Sequence, residues 1–290
     1  MRTIRGGPGS FESRLARAQS LESTPASAHA LTFLSSVLRH QCLRVGQDGT
    51  RATAGRVAAD VAANRLVERF PLLDLGAARD GISSEIDATV AVLAHQDGAA
   101  PAPLREAARD LTTRPLADRR GLIEAWSDDP ALLDPRLAFW IRVAAGPILE
   151  SAAGRVDPLS SDQWGGRACP ACGDVPQCSA IIEESGGFLQ GAPRYLICGR
   201  CATWWAFPRA VCPSCGEDDS RKLGPYVSDE WDHARIDMCD TCRSYVKTFD
   251  LRKKETAAVI PLVDDVATLA LDVWAHETGL TRPGVSLAGV

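Results

Sequence analysis

Four short stretches decide how this chain folds: 169-CPACG-173, 198-CGRC-201, 212-CPSCG-216 and 239-CDTC-242. They place eight of the ten cysteines in Cys-x-x-Cys pairs: Cys169/Cys172, Cys198/Cys201, Cys212/Cys215 and Cys239/Cys242. Two intervening residues let both sulfurs of a pair face one ion from a tight turn, and two such turns close a tetrahedral four-thiolate site. One pair alone is a weak signal, but four with matched gaps are strong.

The gaps describe a duplication. Cys172 and Cys198 are separated by 25 residues, Cys215 and Cys239 by 23. Each half reads as a Cys-Pro-x-Cys-Gly turn, a loop, a β-prone run, a second Cys turn and an aromatic-bearing strand, as in RYLICGRCATWWAF and RIDMCDTCRSYVKTF. The expected fold class is therefore α+β: an N-terminal all-α region, two tandem rubredoxin-like or zinc-ribbon modules and a C-terminal helix. Neighbouring pairs give Cys169, Cys172, Cys198 and Cys201 to one ion and Cys212, Cys215, Cys239 and Cys242 to the other; spacing also allows an interleaved pairing. Pro170 and Pro213 fix φ in the first leg of each turn. Gly173 and Gly216 follow the second cysteine, where positive φ would aim backbone N–H groups at sulfur and disperse thiolate charge. About 30 residues per module cannot bury a self-sufficient core, so metal binding would supply much of the folding energy.

The first 160 residues alternate Ala- and Leu-rich segments with short connections. Apolar positions recur at helical spacing in Leu31, Leu34, Leu38, Cys42 and Val45, then in Val57, Val61 and Leu66, then in Ile86, Val90 and Leu93. The spacing predicts helices near 11–21, 24–46, 54–70, 84–96, 103–112 and 116–126. A longer helix starts at Pro135 behind the cap Asp134 and is expected to kink or end at Pro147. The predicted divisions are a helical domain over 1–160, metal modules over 161–208 and 209–255, and residues 256–290 carrying a helix at about 262–278 that packs back on the body. Asp264 and Asp265 near its start suit the helix dipole.

The composition is that of a soluble chain, with 45% hydrophobic and 24% charged residues among 290 and a net charge of −5. No apolar run is long enough to span a bilayer, and the N-terminus has no apolar segment of a signal peptide. A cytoplasmic location is expected, where thiols stay reduced and clustered cysteines bind metal rather than form disulfides.

The ordered set CPACG, RYLICGRC, CPSCG, CDTCRSYVK and VDDVATLALDVWAHETGL resembles the FdhE family of formate dehydrogenase accessory proteins. By motif the resemblance runs from Cys169 to the C-terminus, about half the chain. It implies a cytoplasmic assembly factor that is not an enzyme, and the eight paired cysteines as ligands of two metal ions, iron in a rubredoxin-like site or zinc. It also implies the catalytic subunit of formate dehydrogenase as partner. The sequence departs from the family pattern at Thr203, Trp204, Trp205 and Ala206, where the family commonly has an acidic residue followed by Trp-His, and at the additional Cys178.

Other functions meet specific objections. A nucleic-acid-binding zinc ribbon needs a basic stripe, but residues 161–255 hold 12 Lys/Arg against 14 Asp/Glu before any thiolate is counted. Neither nucleic acid nor membrane is an expected partner; a homodimer is left open, as is a protein-binding adaptor role for the ribbons. A thiol-redox protein is the other alternative, since Cys-x-x-Cys can be a dithiol couple, but no thioredoxin-like βαβ pattern surrounds the pairs. No catalytic residue emerges. His29, His40 and His95 lack partners at ligand spacing. His233 precedes Cys239 by six residues and is redundant beside four thiolates; His276 reads as solvated, and the pair Glu183/Glu184 as a solvated loop. Cys178 reads as a buried small residue or an alternative ligand. Strand alternation points one of Trp204 and Trp205 inward and the other outward, either as a candidate partner contact or packed against the helical domain.

Overall fold

The computed structural model describes residues 10–96, 100–157, 159–183, 192–252 and 258–287. Its N-terminal half is helical: α1 (Phe11–Ser20), α2 (Ala28–Val45), α3 (Asp48–Val57), α4 (Val61–Leu66), α5 (Arg79–Val90), α6 (Ala102–Thr113), α7 (Leu116–Asp128) and α8 (Pro135–Ala153). Helix α8 is the axis of this half. It is apolar on most sides, buries Trp140, Ile141, Ile148 and Leu149, and packs against α2, α3, α5 and α6. The Asp134 carboxylate accepts the Arg136 N–H at its start.

Three boundaries differ from the sequence expectation. The segment expected as one helix over 54–70 is two, α3 and α4, because Val57 and Val61 keep helical spacing across a turn and enter the same core. Helix α5 begins at Arg79 and passes into a π-helical turn at Ala91–Gln96. Pro147 does not end α8, which continues to Ala153. Proline cannot donate to the Val143 carbonyl four residues back; the buried Gln41 side chain donates to that carbonyl instead, at 2.9 Å. Gly146 leaves the space in which the Gln41 amide sits.

The cysteine-rich half forms one sheet from β1 (Pro176–Ile181), β2 (Arg194–Cys198), β3 (Trp204–Phe207), β4 (Leu223–Val227), β5 (Ala234–Cys239) and β6 (Ser244–Asp250). Its order is β3-β2-β1-β6-β5-β4. Each half contributes an antiparallel meander, and the two join through a parallel β1–β6 pairing with Ser179 opposite Thr248. The duplicated units therefore share a continuous ladder.

Both faces of the sheet's β1–β3 half are covered. Leu196, Trp205 and Phe207 enter the helical core, whereas Tyr195, Ile197, Trp204 and Ala206 enter a second core. Trp204 is 3% exposed and Trp205 0%. The two side chains alternate as expected, and of the two readings of the second tryptophan the packing one holds: Trp205 lies against the helical half and Trp204 in the second core.

The second core is closed by α9 (Pro261–Ala267) and α10 (Leu269–Glu277), a pair of helices where one was expected. Between them and the sheet lies a buried ion cluster. Lys247 Nζ, 0% exposed, lies 3.0 Å from Asp265 and 2.5 Å from Asp272. Arg282 reaches the same two carboxylates at 2.6 and 3.0 Å. Two cations thus face two anions, as a charge buried at this depth requires. Burial alone would raise Asp265, but Arg282 and Lys247 hold it below the usual carboxylate range. Tyr245 donates to Asp272 at 2.7 Å, and burial with that carboxylate raises its phenol well above normal. Lys247 also takes the Asp265 and Thr268 carbonyls, which a continuous helix would use, and the helix breaks there. Asp264 does not simply face a helix dipole; it pairs with Arg17 of α1 and accepts the Ile260 N–H.

Lys247→Met would leave two buried carboxylates to one guanidinium. It is expected to destabilise the chain by roughly 3–5 kcal/mol, read as a lower denaturant midpoint with an unchanged slope.

Candidate metal centres

Every Cys turn uses the same backbone device. The residue after each second cysteine has positive φ: Gly173 at 80°, Gly216 at 84°, Ala202 at 55° and Arg243 at 56°. The glycines stand in the turns that precede each sheet meander, as expected. The turn closes when the Gly173 N–H donates to the Cys169 carbonyl and that of Gly216 to Cys212, at 2.9 and 3.0 Å. Amides then face sulfur: Arg200 N–H lies 3.4 Å from Cys198 Sγ, and Ser214 N–H 3.4 Å from Cys212 Sγ.

The sulfurs gather as sequence neighbours, Cys169, Cys172, Cys198 and Cys201 in one quartet and Cys212, Cys215, Cys239 and Cys242 in the other. Interleaving does not occur. Within each quartet the ligand atoms lie within 4.8 Å of one another. The separations are 3.6 Å for Cys169–Cys201, 3.5 Å for Cys172–Cys198, 3.7 Å for Cys212–Cys242 and 3.8 Å for Cys215–Cys239. Disulfides are far shorter. A tetrahedron with metal–sulfur bonds of about 2.3 Å has edges of about 3.8 Å. Each quartet can therefore hold a metal ion.

The two quartets differ in surroundings. The first is wholly buried, and its four cysteines belong to the helical core. Leu72 and Leu73 N–H groups donate to the Pro170 and Ala171 carbonyls at 3.0 and 2.9 Å, joining the helical half to the first turn. Arg142, from α8, donates to the Gly199 carbonyl at 3.0 Å and to the Gln177 side chain. Gln177 in turn donates to Asp265 at 2.7 Å, linking the quartet's surroundings to the ion cluster. Arg200 stacks over Trp126 at 4.5 Å and donates to the Trp126 and Ser127 carbonyls. Two guanidiniums thus oppose the charge of about −2 that four thiolates and a divalent ion would carry. In the second quartet Cys215 is exposed and Cys242 half-buried.

Without metal each quartet carries an uneven proton load. Burial opposes ionisation of Cys198, but hydrogen bonds from Cys169, Cys172 and Cys201 hold it well below the usual thiol range. Burial pushes those three well above it. In the second quartet burial is likewise outweighed at Cys212, which the Cys215 and Ser214 N–H groups hold down to about 7. Cys215, despite the Glu217 N–H, is pushed up to about 12 by desolvation and its thiol neighbours.

Residues 168–209 match the FdhE central domain and residues 211–288 the FdhE C-terminal domain. Residues 168–288 belong to the FdhE family. An FdhE homolog of Aquifex aeolicus is 35% identical over 149 residues, 51% of this chain and 50% of that protein. One of Shewanella oneidensis is 38% identical over 111 residues, 38% of this chain and 34% of its own length. The matched part thus spans between about a third and a half of these relatives. The crystal structure of FdhE from Pseudomonas aeruginosa superimposes with a TM-score of 0.73 over 99% of this chain and 98% of that one, at 22% identity. That likeness is one of fold and extends through the helical half.

The remaining candidates lie apart from the FdhE quartets. Cys178 is buried on β1 in the second core, and Cys42 is partly buried beside α9. His40 is buried against the Thr89 hydroxyl at 3.1 Å; His29 and His276 are exposed. His233 faces Asp264 at 3.7 Å rather than a sulfur. Glu183 is exposed, while Glu184 and the His95 side chain lie outside the described residues. The sequence reading missed the hydroxyls that approach the last cysteine of each quartet: Thr203 Oγ1 at 3.1 Å from Cys201 and Ser244 Oγ at 3.0 Å from Cys242. Both stand two residues after their cysteine, a correspondence visible in the duplication itself. Arg142 and Arg200 carried no such signal.

A Cβ at Gly199 would overlap the Gln177 and Arg142 side chains. Gly199→Ala should therefore cost roughly 1–3 kcal/mol, measured by chemical denaturation.

Proposed function

We propose that this chain is a metal-binding assembly factor, not an enzyme, that acts in the cytoplasm on the catalytic subunit of formate dehydrogenase. The observation that carries the metal reading is the pair of sulfur tetrahedra. Cys169, Cys172, Cys198 and Cys201 are proposed as ligands of one ion, and Cys212, Cys215, Cys239 and Cys242 as ligands of the other. Tetrahedral S₄ suits zinc and iron alike; zinc would hold shape only, and iron could also change oxidation state. The client assignment rests on the FdhE membership of residues 168–288 together with the accessory role that the family resemblance implies. No helix among the described residues is long and apolar enough to cross a membrane.

The proposed contact surface is the junction of the helical half with the first Cys turn. A cleft of about 620 Å³ opens there, bordered by Asp74, Arg79, Glu124, Asp128, Cys172 and Gly173. Closed four-thiolate sites leave no coordination position for substrate, which supports a role in shape or electron storage over turnover.

Elemental analysis of protein purified without chelators is expected to give two ions per chain. A red, reducible chromophore identifies iron and colourless protein zinc; metal-free folded protein would refute the ligand assignment. The catalytic subunit should co-purify with the intact chain and be lost after Cys→Ser changes in the first quartet. Failure of the intact chain to retain it would remove the client.

Metal affinity should also fall on acidification. Cys169, Cys172 and Cys201 hold raised pKa values and must each release a proton on binding. The first quartet's affinity should therefore drop by up to about tenfold per displaced proton for each unit fall in pH, read by competition with a chromogenic chelator.

A further inference from the structure

The face of the sheet that bears Leu196 and Trp205 is covered by helices over β2 and β3. Beyond them the connection between the two Cys modules, residues 209–213, crosses the sheet and leaves a cavity of about 270 Å³ above β4, β5 and β6. Arg194, Arg209, Arg235 and a single acidic residue, Asp237, line it, together with Leu223 and Val246. The charge is unbalanced. Asp237 accepts from Arg235 Nε at 2.7 Å and from the Thr248 hydroxyl at 2.6 Å, and lies 3.8 Å from Arg194. One carboxylate thus answers three guanidiniums.

Arg194 is the most deeply buried of them. It is 2% exposed, and among the described residues its terminal nitrogens donate only to main-chain carbonyls, those of Val211 at 3.1 Å and Arg209 at 3.5 Å. Its Nε has no hydrogen-bond partner among the described residues. Burial, partly offset by Asp237, lowers its affinity for the proton. A buried guanidinium held against the wall of a solvent-open cavity is costly unless an anion completes it.

We propose that this cavity is a carboxylate-binding site, in which Arg194, Arg209 and Arg235 hold an acidic group and Leu223 and Val246 receive its aliphatic stem. Guanidinium forks match carboxylate oxygens two at a time, and the volume suits one side chain or a small dicarboxylic acid. The acidic group can come from a bound protein segment or from a free acid; the shared chemistry is the carboxylate. The site goes beyond the assembly role and does not depend on which enzyme the chain serves. Cys212 and Cys239 border the same cavity, so the competing account is that the arginines only offset the charge of the second quartet.

The test titrates the metal-loaded full chain at fixed ionic strength with glutarate, with the blocked tripeptide acetyl-Ala-Glu-Ala-amide and with inorganic phosphate, by calorimetry. Saturable binding of glutarate or the tripeptide supports the site. Both binding means that the carboxylate alone is read, and the tripeptide alone means that a protein segment is its source. Arg209→Gln and Arg235→Gln should each weaken binding about fivefold or more, and together abolish saturation. Asp237→Asn, which removes the internal competitor, should tighten it by about fivefold. A purely structural salt bridge would not give that gain. Metal content and melting temperature are measured on each variant, so loss of the quartet registers separately from loss of the anion. No saturation with either carboxylate, binding of phosphate alone, or unchanged affinity in the double variant would overturn the proposal and leave the arginines as counter-charges to the thiolates.

Discussion

Four sulfurs brought to within 4.8 Å of one another inside a hydrophobic core are the constraint from which the rest of this fold follows. Sulfurs at tetrahedral edge distance repel once ionised, and burial leaves little solvent around the first quartet to screen them. The chain answers with fixed positive groups: turn amides, the hydroxyl of Thr203, and the guanidiniums of Arg142 and Arg200. Those guanidiniums must themselves be anchored. Arg142 comes from the central helix α8, and Arg200 rests on Trp126 of α7. The helical half is thus an outer support for the first quartet as well as a separate packing unit.

The second quartet shows the same backbone turned to another use. Its turns repeat the positive φ and the sulfur-facing amide, yet Cys215 is exposed where its counterpart Cys172 is buried. What differs is the cover. On the sheet face that bears Trp205, helices pack over β2 and β3, whereas the short inter-module connection and an arginine-lined cavity lie over β4 to β6. Duplication supplied two equal cages, and tertiary packing made them unequal in exposure to solvent, reductant and competing ligands.

Much of this was legible in the sequence because it is written in local spacing. Cys-x-x-Cys turns, the glycines after them and the repeat length located both quartets, and helical periodicity found most of the helices. What escaped depends on partners distant in the chain. Pro147 looked like a kink or an end of its helix because Gln41, over a hundred residues away, supplies the missing hydrogen bond. Whether the second of Trp204 and Trp205 met a partner or the helical half stayed open, because covering of both sheet faces leaves no local mark. Asp265 looked like a partner of the helix dipole, whereas Lys247 and Arg282 make it, with Asp272, the centre of a buried cluster. The parallel β1–β6 pairing was likewise invisible, since nothing in either strand names its neighbour.

That pairing has a consequence for how the chain is made. Strand β1 belongs to the first Cys module, but its outer edge is satisfied only by β6, and Gln177 at its start is held by Asp265 and Arg282. A nascent chain that has emerged through Cys201 can close the first ring of sulfurs and still present an open strand edge. Contacts of such long sequence separation form late, and an unpaired edge invites other strands. During synthesis this protein is therefore in the position of the immature enzymes it is proposed to serve: briefly in need of cover until its last segment arrives.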